Sequence, residues 1–492
     1  MTLDPRTPVL VGIGVTTQRE EDPLRAVEPL DLMLDAVRRA GADAVPDPAA
    51  VLAGVGRIAV PKGRWHYRNP GGEIARAIGA DRAASVLASV GVLQQTLLGD
   101  ACRRIADGEI DTALVVGGDA GYRILRSNIL AVPAAERQQD EAPHETLSPS
   151  DELRHPAELR AGMKMPVGLY AIMESAYRAR KGWTVDVHRD RIAAMMSRFS
   201  EVAANNPAAW NRTRIAPDAI RNASERNPMQ AFPYTKLHCS TWNVDQAGAL
   251  VFCSAAKADA LRIPREQWIY PVASTESNHM VQVSARADLA ACPGAGIAGR
   301  AALDAAELNV ADIDLIELYT CFPIAVESYA AELGLPLTRD LTVTGAMPFA
   351  GGPYNNYVLQ ATCRIADLLR QAQGRHGLVS SVSGVLTKQG FGLWSSQPGP
   401  NGFVLKDVTE LVAREMTTKP IVEAGSGDGV IAGYTVLHER SQFPRGVAVA
   451  DIDGCRAVVQ TEDPSIVARM ESIELCGTRI RLGDAHTFSL AS

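Results

Sequence analysis

Short apolar runs alternate with amphipathic helical segments along this chain, and this alternation limits the folds open to it more than any other feature. The runs PVLVGIGVT (8–16) and DTALVVGGDA (111–120) are apolar almost throughout, and PLDLMLDAVRRAG (29–41) has helical periodicity. Strands that are apolar on both faces are typical of parallel sheets covered by helices on two sides. The sequence therefore predicts an α/β protein built on mostly parallel sheets.

The same order of elements occurs twice, before residue 121 and after residue 270. A charged segment interrupts the rhythm between the two copies and is typical of an inserted subdomain. Near the C-terminus, short alternating strands separated by turns predict a small antiparallel β-barrel that folds as a unit of its own. The predicted divisions are an N-terminal half (1–120), an inserted loop domain (121–240), the end of the N-terminal half (241–270), a C-terminal half (271–415) and the barrel domain (416–492).

Charge is distributed unevenly along the chain. The formal net charge is −7, whereas residues 151–240 hold 14 Lys and Arg against 9 Asp and Glu, so the remainder carries −12. A positive segment in an acidic protein favours an anionic small ligand, with a solvated helical surface as the alternative. Arg178, Arg180 and Lys181 lie in this segment and are the first residues by which to probe it. Neither the overall charge nor any motif indicates binding to nucleic acid.

Cysteines and histidines show no metal-ligand spacing. The eight cysteines are scattered without a CxxC pair, and His438 and His486 are isolated. Such spacing favours reduced thiols and a cytoplasmic location, and predicts neither a disulfide framework nor a metal site. We find neither a signal peptide nor an apolar run long enough for a bilayer, so no membrane span is expected.

Three stretches resemble segments of the thiolase superfamily and occur in the matching order. The helix and strand that follow a thiolase nucleophile resemble IADGEIDTALVVGGD (105–119). The strand and helix after the thiolase insertion resemble NVDQAGALVFCSAAKA (243–258). The ELHDCF motif of sterol-carrier-protein type thiolases resembles DLIELYTCF (314–322). The resemblance covers about residues 8–410 and is greatest to bacterial thiolase-like proteins with an extra C-terminal domain. It implies two similar βαβαβ halves in αβαβα layers, acting on a thioester of coenzyme A (CoA).

The resemblance also implies a nucleophilic cysteine, acid/base groups and donors around the thioester oxygen, and here the chain departs from the family. The nucleophile position corresponds to Gly91, or to Ser89 with a two-residue slip, and neither is a thiol. Ser89 is expected to form only a local hydrogen bond at the turn. Tyr319 stands where the family has histidine, and Cys321 matches an acid/base cysteine. These two are the catalytic candidates, with a buried, unreactive Cys321 as the alternative.

Further motif positions are changed as well. The Gly-His-Pro position after GGPYNN (351–356) has no histidine, and the Cys-x-Gly position reads Val382-Ser383-Gly384. The stretch LTKQGFG (386–392) predicts a glycine-rich loop. The ligand-binding candidates are Ser240, Asn355, Asn356, Ser383, Gly384, Lys388 and Gln389.

Three functions are compatible with these residues. The first is binding of CoA or an acyl-CoA, within lipid metabolism, without thiolase activity and without a required cofactor. The second is an acyltransferase or related enzyme that uses Cys321 with Tyr319 and Asn356. The third is a non-catalytic scaffold that binds a protein partner through residues 416–492. Whether the chain is an enzyme is left open by the residues alone.

Overall fold

The computed structural model describes residues 3–149, 151–371, 374–423, 427–439 and 442–491. The first part of the chain contains β1 (Pro8–Gln18), α1 (Pro29–Ala44), α2 (Pro48–Leu52), β2 (Arg57–Pro61), α3 (Pro70–Ala77), β3 (Ala84–Ala88), α4 (Gln94–Ala106), β4 (Thr112–Ala120), α5 (Gly121–Leu130) and β5 (Glu145–Leu147). The inserted segment continues with α6 (Pro156–Arg160), α7 (Pro166–Arg180), α8 (Val185–Asn205), α9 (Pro217–Arg221), β6 (Met229–Ala231) and β7 (Tyr234–Thr235). The N-terminal half then closes with β8 (Asp245–Ser254) and α10 (Ala255–Ala260).

Six strands of the described residues form the first sheet, in the order β1-β8-β4-β2-β3-β5. Parallel pairing joins β4, β2, β3 and β5, whereas β8 is antiparallel to both β1 and β4. The prediction of a mostly parallel sheet is therefore wrong in this respect, and the sheet is mixed. Burial on both faces makes a strand apolar whichever way its neighbours run, so the apolar pattern did not reveal the direction of β8.

The C-terminal half builds a second sheet. Its elements are β9 (Tyr270–Ser277), α11 (Pro293–Ala305), β10 (Leu315–Glu317), α12 (Pro323–Leu333), α13 (Met347–Ala350), α14 (Tyr357–Arg370), β11 (His376–Ser383), β12 (Lys388–Ser395), β13 (Val404–Asp407) and α15 (Thr409–Glu415). The described strands pair in the order β10-β11-β12-β9-β13. This sheet is also mixed, because β12 is antiparallel to β11 and β9.

Helices and sheets stack in five layers, as the resemblance to the thiolase superfamily implies. α4 and α14 lie between the sheets and contact strands of both, α1 covers the outer face of the first sheet, and α11 covers the outer face of the second. Apolar residues of α4, among them Leu97, Leu98 and Ile105, are fully buried in the central layer. Because α4 occupies the centre of the fold, the turn before it is held between the two halves.

A five-stranded barrel closes the chain, which confirms the predicted C-terminal fold. It consists of β14 (Gly427–Leu437), β15 (Arg445–Ile452), β16 (Cys455–Thr461), α16 (Pro464–Ser472), β17 (Arg479–Gly483) and β18 (Thr487–Leu490). Closure comes from the pairing of β14 with both β15 and β17 and from the pairing of β16 with β18, which is parallel and so differs from the predicted antiparallel arrangement. Asp463 caps α16. The apolar core of the barrel also includes Val185 and Phe232 of the inserted segment.

The barrel is also joined to the inserted segment. β14 pairs with β6, where Leu437 faces Ala231, so β6 and β7 extend the barrel sheet. Leu437, Val447 and Val458 are buried together with residues of the main core. The barrel therefore packs on the rest of the chain rather than standing apart from it. Among the described helices, none is long and apolar enough to cross a lipid bilayer.

Candidate functional site

A cavity of about 1560 Å³ lies where both halves, the inserted segment and the barrel meet. Seven of the residues singled out in the sequence line it: Gly91, Ser240, Tyr319, Cys321, Asn355, Ser383 and Gly384. Ser89, Asn356, Lys388 and Gln389 lie outside its lining. The fold thus brings together positions that are up to about 290 residues apart in the chain.

Gly91 forms part of the cavity wall at the turn before α4. Its φ is +104°, in the region that favours glycine, and a Cβ built on it would lie 2.8 Å from Cγ of Pro149. The Nζ atom of Lys388 donates to the Gly91 carbonyl oxygen at 3.4 Å and so holds the turn. A side chain here would require the turn or Pro149 to move.

Ser89 has a different environment. Its Oγ atom lies 3.2 Å from Oγ of Ser148, and its backbone N–H donates to the carbonyl oxygen of Leu147 at 2.8 Å. The partner of its hydroxyl is therefore another hydroxyl and not a base. Of the two positions assigned to the nucleophile, Gly91 is the one that faces the cavity.

Cys321 and Tyr319 line the cavity from the segment between β10 and α12. Glu317, at the end of β10, is buried and accepts backbone hydrogen bonds from the facing loop, which fixes this segment. Burial raises the pKa of the Cys321 thiol to about 12, although a hydrogen bond from Tyr170 lowers it. Burial likewise raises the pKa of Tyr319. Both groups are protonated at neutral pH, so Cys321 is a weak nucleophile there.

Asn355 and Asn356 occupy the Gly-His-Pro position and have different surroundings. Asn355 lines the cavity, and its buried Nδ2 atom has no hydrogen-bond partner among the described residues. Asn356 is buried and donates from Nδ2 to the carbonyl oxygen of Gly117 on β4 at 2.9 Å. Asn356 therefore anchors α14 to the first sheet through Nδ2, while its buried Oδ1 has no hydrogen-bond partner among the described residues, and its assignment as a ligand-binding residue stays a prediction.

The prediction of a loop at Lys388 and Gln389 is wrong, because both residues begin the buried strand β12. Besides the contact of Lys388 with Gly91, Gln389 donates from Nε2 to the carbonyl oxygen of Leu386 at 2.8 Å. Both side chains thus stabilise the turn between β11 and β12 and the turn before α4. They support the cavity wall from behind.

The glycines in this stretch led to the loop prediction, but in the structure they allow α4 to pack closely on β12. Gly390 and Gly392 lie on β12 directly against Gln95 of α4, and a Cβ on either would lie 2.9 Å from the Gln95 side chain. The close approach of the central helix to the second sheet therefore requires glycine within a regular strand.

Ser240, Ser383 and Gly384 line the cavity beside Cys321. The backbone N–H of Ser240 donates to the carbonyl oxygen of Cys321 at 3.0 Å. Ser383 ends β11, and Gly384, with a φ of +60°, begins the turn to β12. Buried Arg286 donates to the carbonyl oxygen of Gly384, so this part of the wall is fixed by the interior of the protein.

Four cationic side chains among the described residues line the cavity: Arg154, Arg189, Arg226 and Lys236. All four belong to the positive segment that the charge count singles out, although the sequence did not rank them. Arg226 and Lys236 are exposed, and neither forms an ion pair with a described residue. These two cations are therefore available to an anionic ligand.

Arg178 and Arg180 have other roles, which corrects their use as probes of a ligand surface. The Arg178 side chain is 1% exposed, its Nε lies 2.7 Å from Oε2 of Glu474, and it donates to the Tyr434 hydroxyl at 2.7 Å. Arg180 pairs with Asp288 on the surface. Neither lines the cavity, and Arg178 joins the inserted segment to the barrel.

The barrel supplies part of the cavity wall through His438, Glu439 and Glu471. Nε2 of His438 lies 2.6 Å from Oε1 of Glu471. Next to them, Phe232 and Gln230 come from the inserted segment that pairs with β14, and the His438 backbone N–H donates to the carbonyl oxygen of Gln230 at 3.1 Å. Sequence reasoning missed this contribution because the barrel reads as a separate unit.

No family model matches the sequence. An acetyl-CoA acetyltransferase of Methanothermobacter thermautotrophicus is 29% identical over 167 residues, which is 34% of this chain and only 40% of that relative. The aligned region is therefore less than two thirds of the relative's length.

Solved structures match over far more of the chain. A monomeric SCP2-thiolase like protein type 1 from Mycobacterium smegmatis has a TM-score of 0.84 and 27% identity, and the match covers 99% of this chain and 100% of that one. The dimeric peroxisomal thiolase of Saccharomyces cerevisiae has a TM-score of 0.56 and 16% identity, covering 80% of this chain and 99% of that one, which shows the fold alone.

Proposed function

We propose, from the premise that this chain is a thiolase-fold protein related to SCP2-thiolase-like proteins, that it binds CoA or an acyl-CoA and does not catalyse thiolysis. The observation that carries the proposal is a single cavity joining Gly91, at the nucleophile position of the family, to the cations of the inserted segment. A CoA thioester has a phosphorylated nucleotide at one end and an acyl group at the other, and the cavity offers suitable surroundings for both.

Arg226 and Lys236 are the residues that we assign to the phosphates. Both are exposed and lack ion-pair partners among the described residues, so binding an anion breaks no existing pair. Arg189 and Arg154 add positive charge to the cavity lining, while Glu225 reduces it. Attraction between exposed charges is screened by salt, so the affinity for CoA should fall as ionic strength rises.

The acyl end is assigned to the wall formed by Gly91, Tyr319 and Asn355. Asn355 has an amide donor without a partner, and the Tyr319 hydroxyl is protonated at neutral pH. Such donors suit the oxygen of a thioester carbonyl. The first turn of α4 follows directly, and helix N-termini bind negatively charged or carbonyl oxygen atoms.

Loss of thiolysis follows from the position of Gly91. Thiolases transfer the acyl group to a cysteine, and in this chain the conformation of Gly91 and the proximity of Pro149 oppose any side chain there. Cys321 lines the cavity but has a pKa of about 12. The alternative, an acyl-CoA enzyme that relies on Cys321, would need this thiol to ionise far more readily once substrate is bound.

Calorimetric titration with CoA tests the proposal. We expect Arg226→Glu/Lys236→Glu to weaken binding about tenfold or more, corresponding to about 1.4 kcal/mol. The matched control is Arg82→Glu/Lys406→Glu, which reverses two exposed cations that lie outside the cavity lining. Equal affinities for wild type and both variants, or affinity independent of salt, would contradict the assignment of the phosphates.

Activity is tested separately with a short 3-ketoacyl-CoA and free CoA. We expect no thiolysis above the rate without protein. Turnover that disappears in Cys321→Ala would instead support the acyl-CoA enzyme. If CoA neither binds nor raises the melting temperature, the third function becomes the better explanation, in which residues 416–492 bind a protein partner.

A further inference from the structure

Three buried ionisable side chains meet where the inserted segment packs on the C-terminal half. Glu174 lies on α7, His188 on α8 and Glu327 on α12, and none of the three side chains is more than 1% exposed. Nε2 of His188 lies 2.9 Å from Oε1 of Glu174 and 3.4 Å from Oε2 of Glu327. One ligand atom from each residue lies within 4.8 Å of the others, and none of these residues lines the cavity.

Hydrogen bonding accounts for only part of this arrangement. Oε1 of Glu174 is buried and has no hydrogen-bond partner in the described structure, although Nε2 of His188 is 2.9 Å away, because the hydrogen bond of that nitrogen is made to Oε2 of Glu327. The other oxygen of Glu174 accepts a hydrogen bond from the Tyr234 hydroxyl. That bond orients the carboxylate so that its unpartnered oxygen faces His188, in the way that outer hydrogen bonds orient metal ligands.

Charge balance in this cluster can be met by a cation or by protons held within the cluster. Two ionised carboxylates with a neutral imidazole would leave two negative charges in a site without solvent, which is costly unless they are compensated. One divalent cation would balance them. Without a cation, protons must be retained within the cluster instead.

We propose that Glu174, His188 and Glu327 bind one divalent transition-metal ion, with Zn²⁺ as the first ion to test. Zinc accepts imidazole nitrogen and carboxylate oxygen at about 2.0–2.2 Å, which places tetrahedral ligand atoms about 3.3–3.6 Å apart. The shorter His188–Glu174 distance of 2.9 Å would lengthen slightly on binding. Because α7 and α8 belong to the insertion and α12 to the C-terminal half, the ion would fasten one to the other.

Metal content of the full chain decides the matter. The protein is produced in zinc-supplemented and manganese-supplemented media, dialysed against chelator-treated buffer, and analysed by inductively coupled plasma mass spectrometry. We expect about one ion per chain in the wild type and about tenfold less in Glu327→Gln and His188→Gln. The matched control is His238→Gln, since His238 is also fully buried and near Tyr234 but is not part of the cluster.

A second measurement covers variants that fail to fold. Wild-type protein unfolded in guanidinium and refolded with Zn²⁺ should melt at a higher temperature than protein refolded with a chelator. Less than one tenth of an ion per chain from both media, together with equal melting temperatures after refolding, would overturn the proposal and identify a proton-sharing cluster. Metal retained equally by Glu327→Gln and His188→Gln would overturn the assignment of the ligands. Neither outcome bears on CoA binding, because the cluster lies outside the cavity lining.

Discussion

Replacing Arg178 by methionine should loosen the joint between the inserted segment and the barrel without weakening CoA binding. The guanidinium is 1% exposed and bonds to Glu474 and to the Tyr434 hydroxyl, both on the barrel side of the joint. Removing one partner of a fully buried ion pair costs about 3–5 kcal/mol. Glu474 is 25% exposed and regains water when Arg178 is lost, so we expect a smaller loss of about 2–3 kcal/mol in the free energy of unfolding.

Urea unfolding followed by circular dichroism measures this loss, and calorimetry on the folded variant measures the affinity for CoA. Arg180→Met is the matched control, since Arg180 lies nearby in sequence but is 45% exposed and pairs on the surface, where a pair contributes at most about 1 kcal/mol. The double variant with Glu474→Gln should lose less than the sum of the two single losses. A loss below about 0.5 kcal/mol for Arg178→Met, or a tenfold weaker affinity for CoA, would refute the structural role.

Three further outcomes are expected. Gly91→Ala should destabilise the chain by about 2–3 kcal/mol, against about 1–2 kcal/mol for the control Gly79→Ala. Both glycines have positive φ, but only Gly91 has a neighbour within 4 Å of the added Cβ. Equal shifts of the two variants in thermal unfolding would contradict the clash with Pro149. Alkylation of Cys321 by iodoacetamide, measured by peptide mass spectrometry, should be slow at pH 7. Its rate should rise about tenfold per pH unit towards the pKa of about 12, because only the thiolate reacts. Rapid modification at pH 7 would contradict a buried, protonated thiol. A chain ending at residue 415 should expose the apolar residues that pack on the barrel. Proteases should therefore cleave its inserted segment faster than that of the full chain. An unchanged cleavage pattern would show that the insertion folds without β14.

Much of the fold could be predicted from local patterns. Apolar runs and helical periodicity identified the strands and helices of an α/β protein, and alternating strands identified the barrel, because both patterns arise from short-range burial, whereas the order of the layers came from the family resemblance. The direction of β8 and the strand character of Lys388 and Gln389 could not be obtained in this way. The first depends on neighbours that the apolar pattern does not distinguish, and the second on the packing of Gln95 against two glycines.

The residues of the candidate site were likewise found only where a local sequence signal exists. Alignment with motifs located Gly91, Tyr319 and Cys321, since these positions lie in segments that resemble a known family. Charge counting found the segment that contains Arg226 and Lys236 but placed buried Arg178 among its probes. The cluster of Glu174, His188 and Glu327 had no signal at all, because His188 and Glu327 are separated by 139 residues and have no recognised spacing.

The pairing of β6 with β14 has a consequence for how the chain is made. Ala231 and its partner Leu437 are separated by about 200 residues, so at a synthesis rate of about 5–20 residues per second β6 leaves the ribosome about 10–40 s before the strand it pairs with. During that interval the edge that will receive β14 has no partner from its own chain. Unpaired strand edges on nascent chains are where aggregation begins and chaperones bind. The yield of this protein should therefore depend on how fast residues 232–437 are translated.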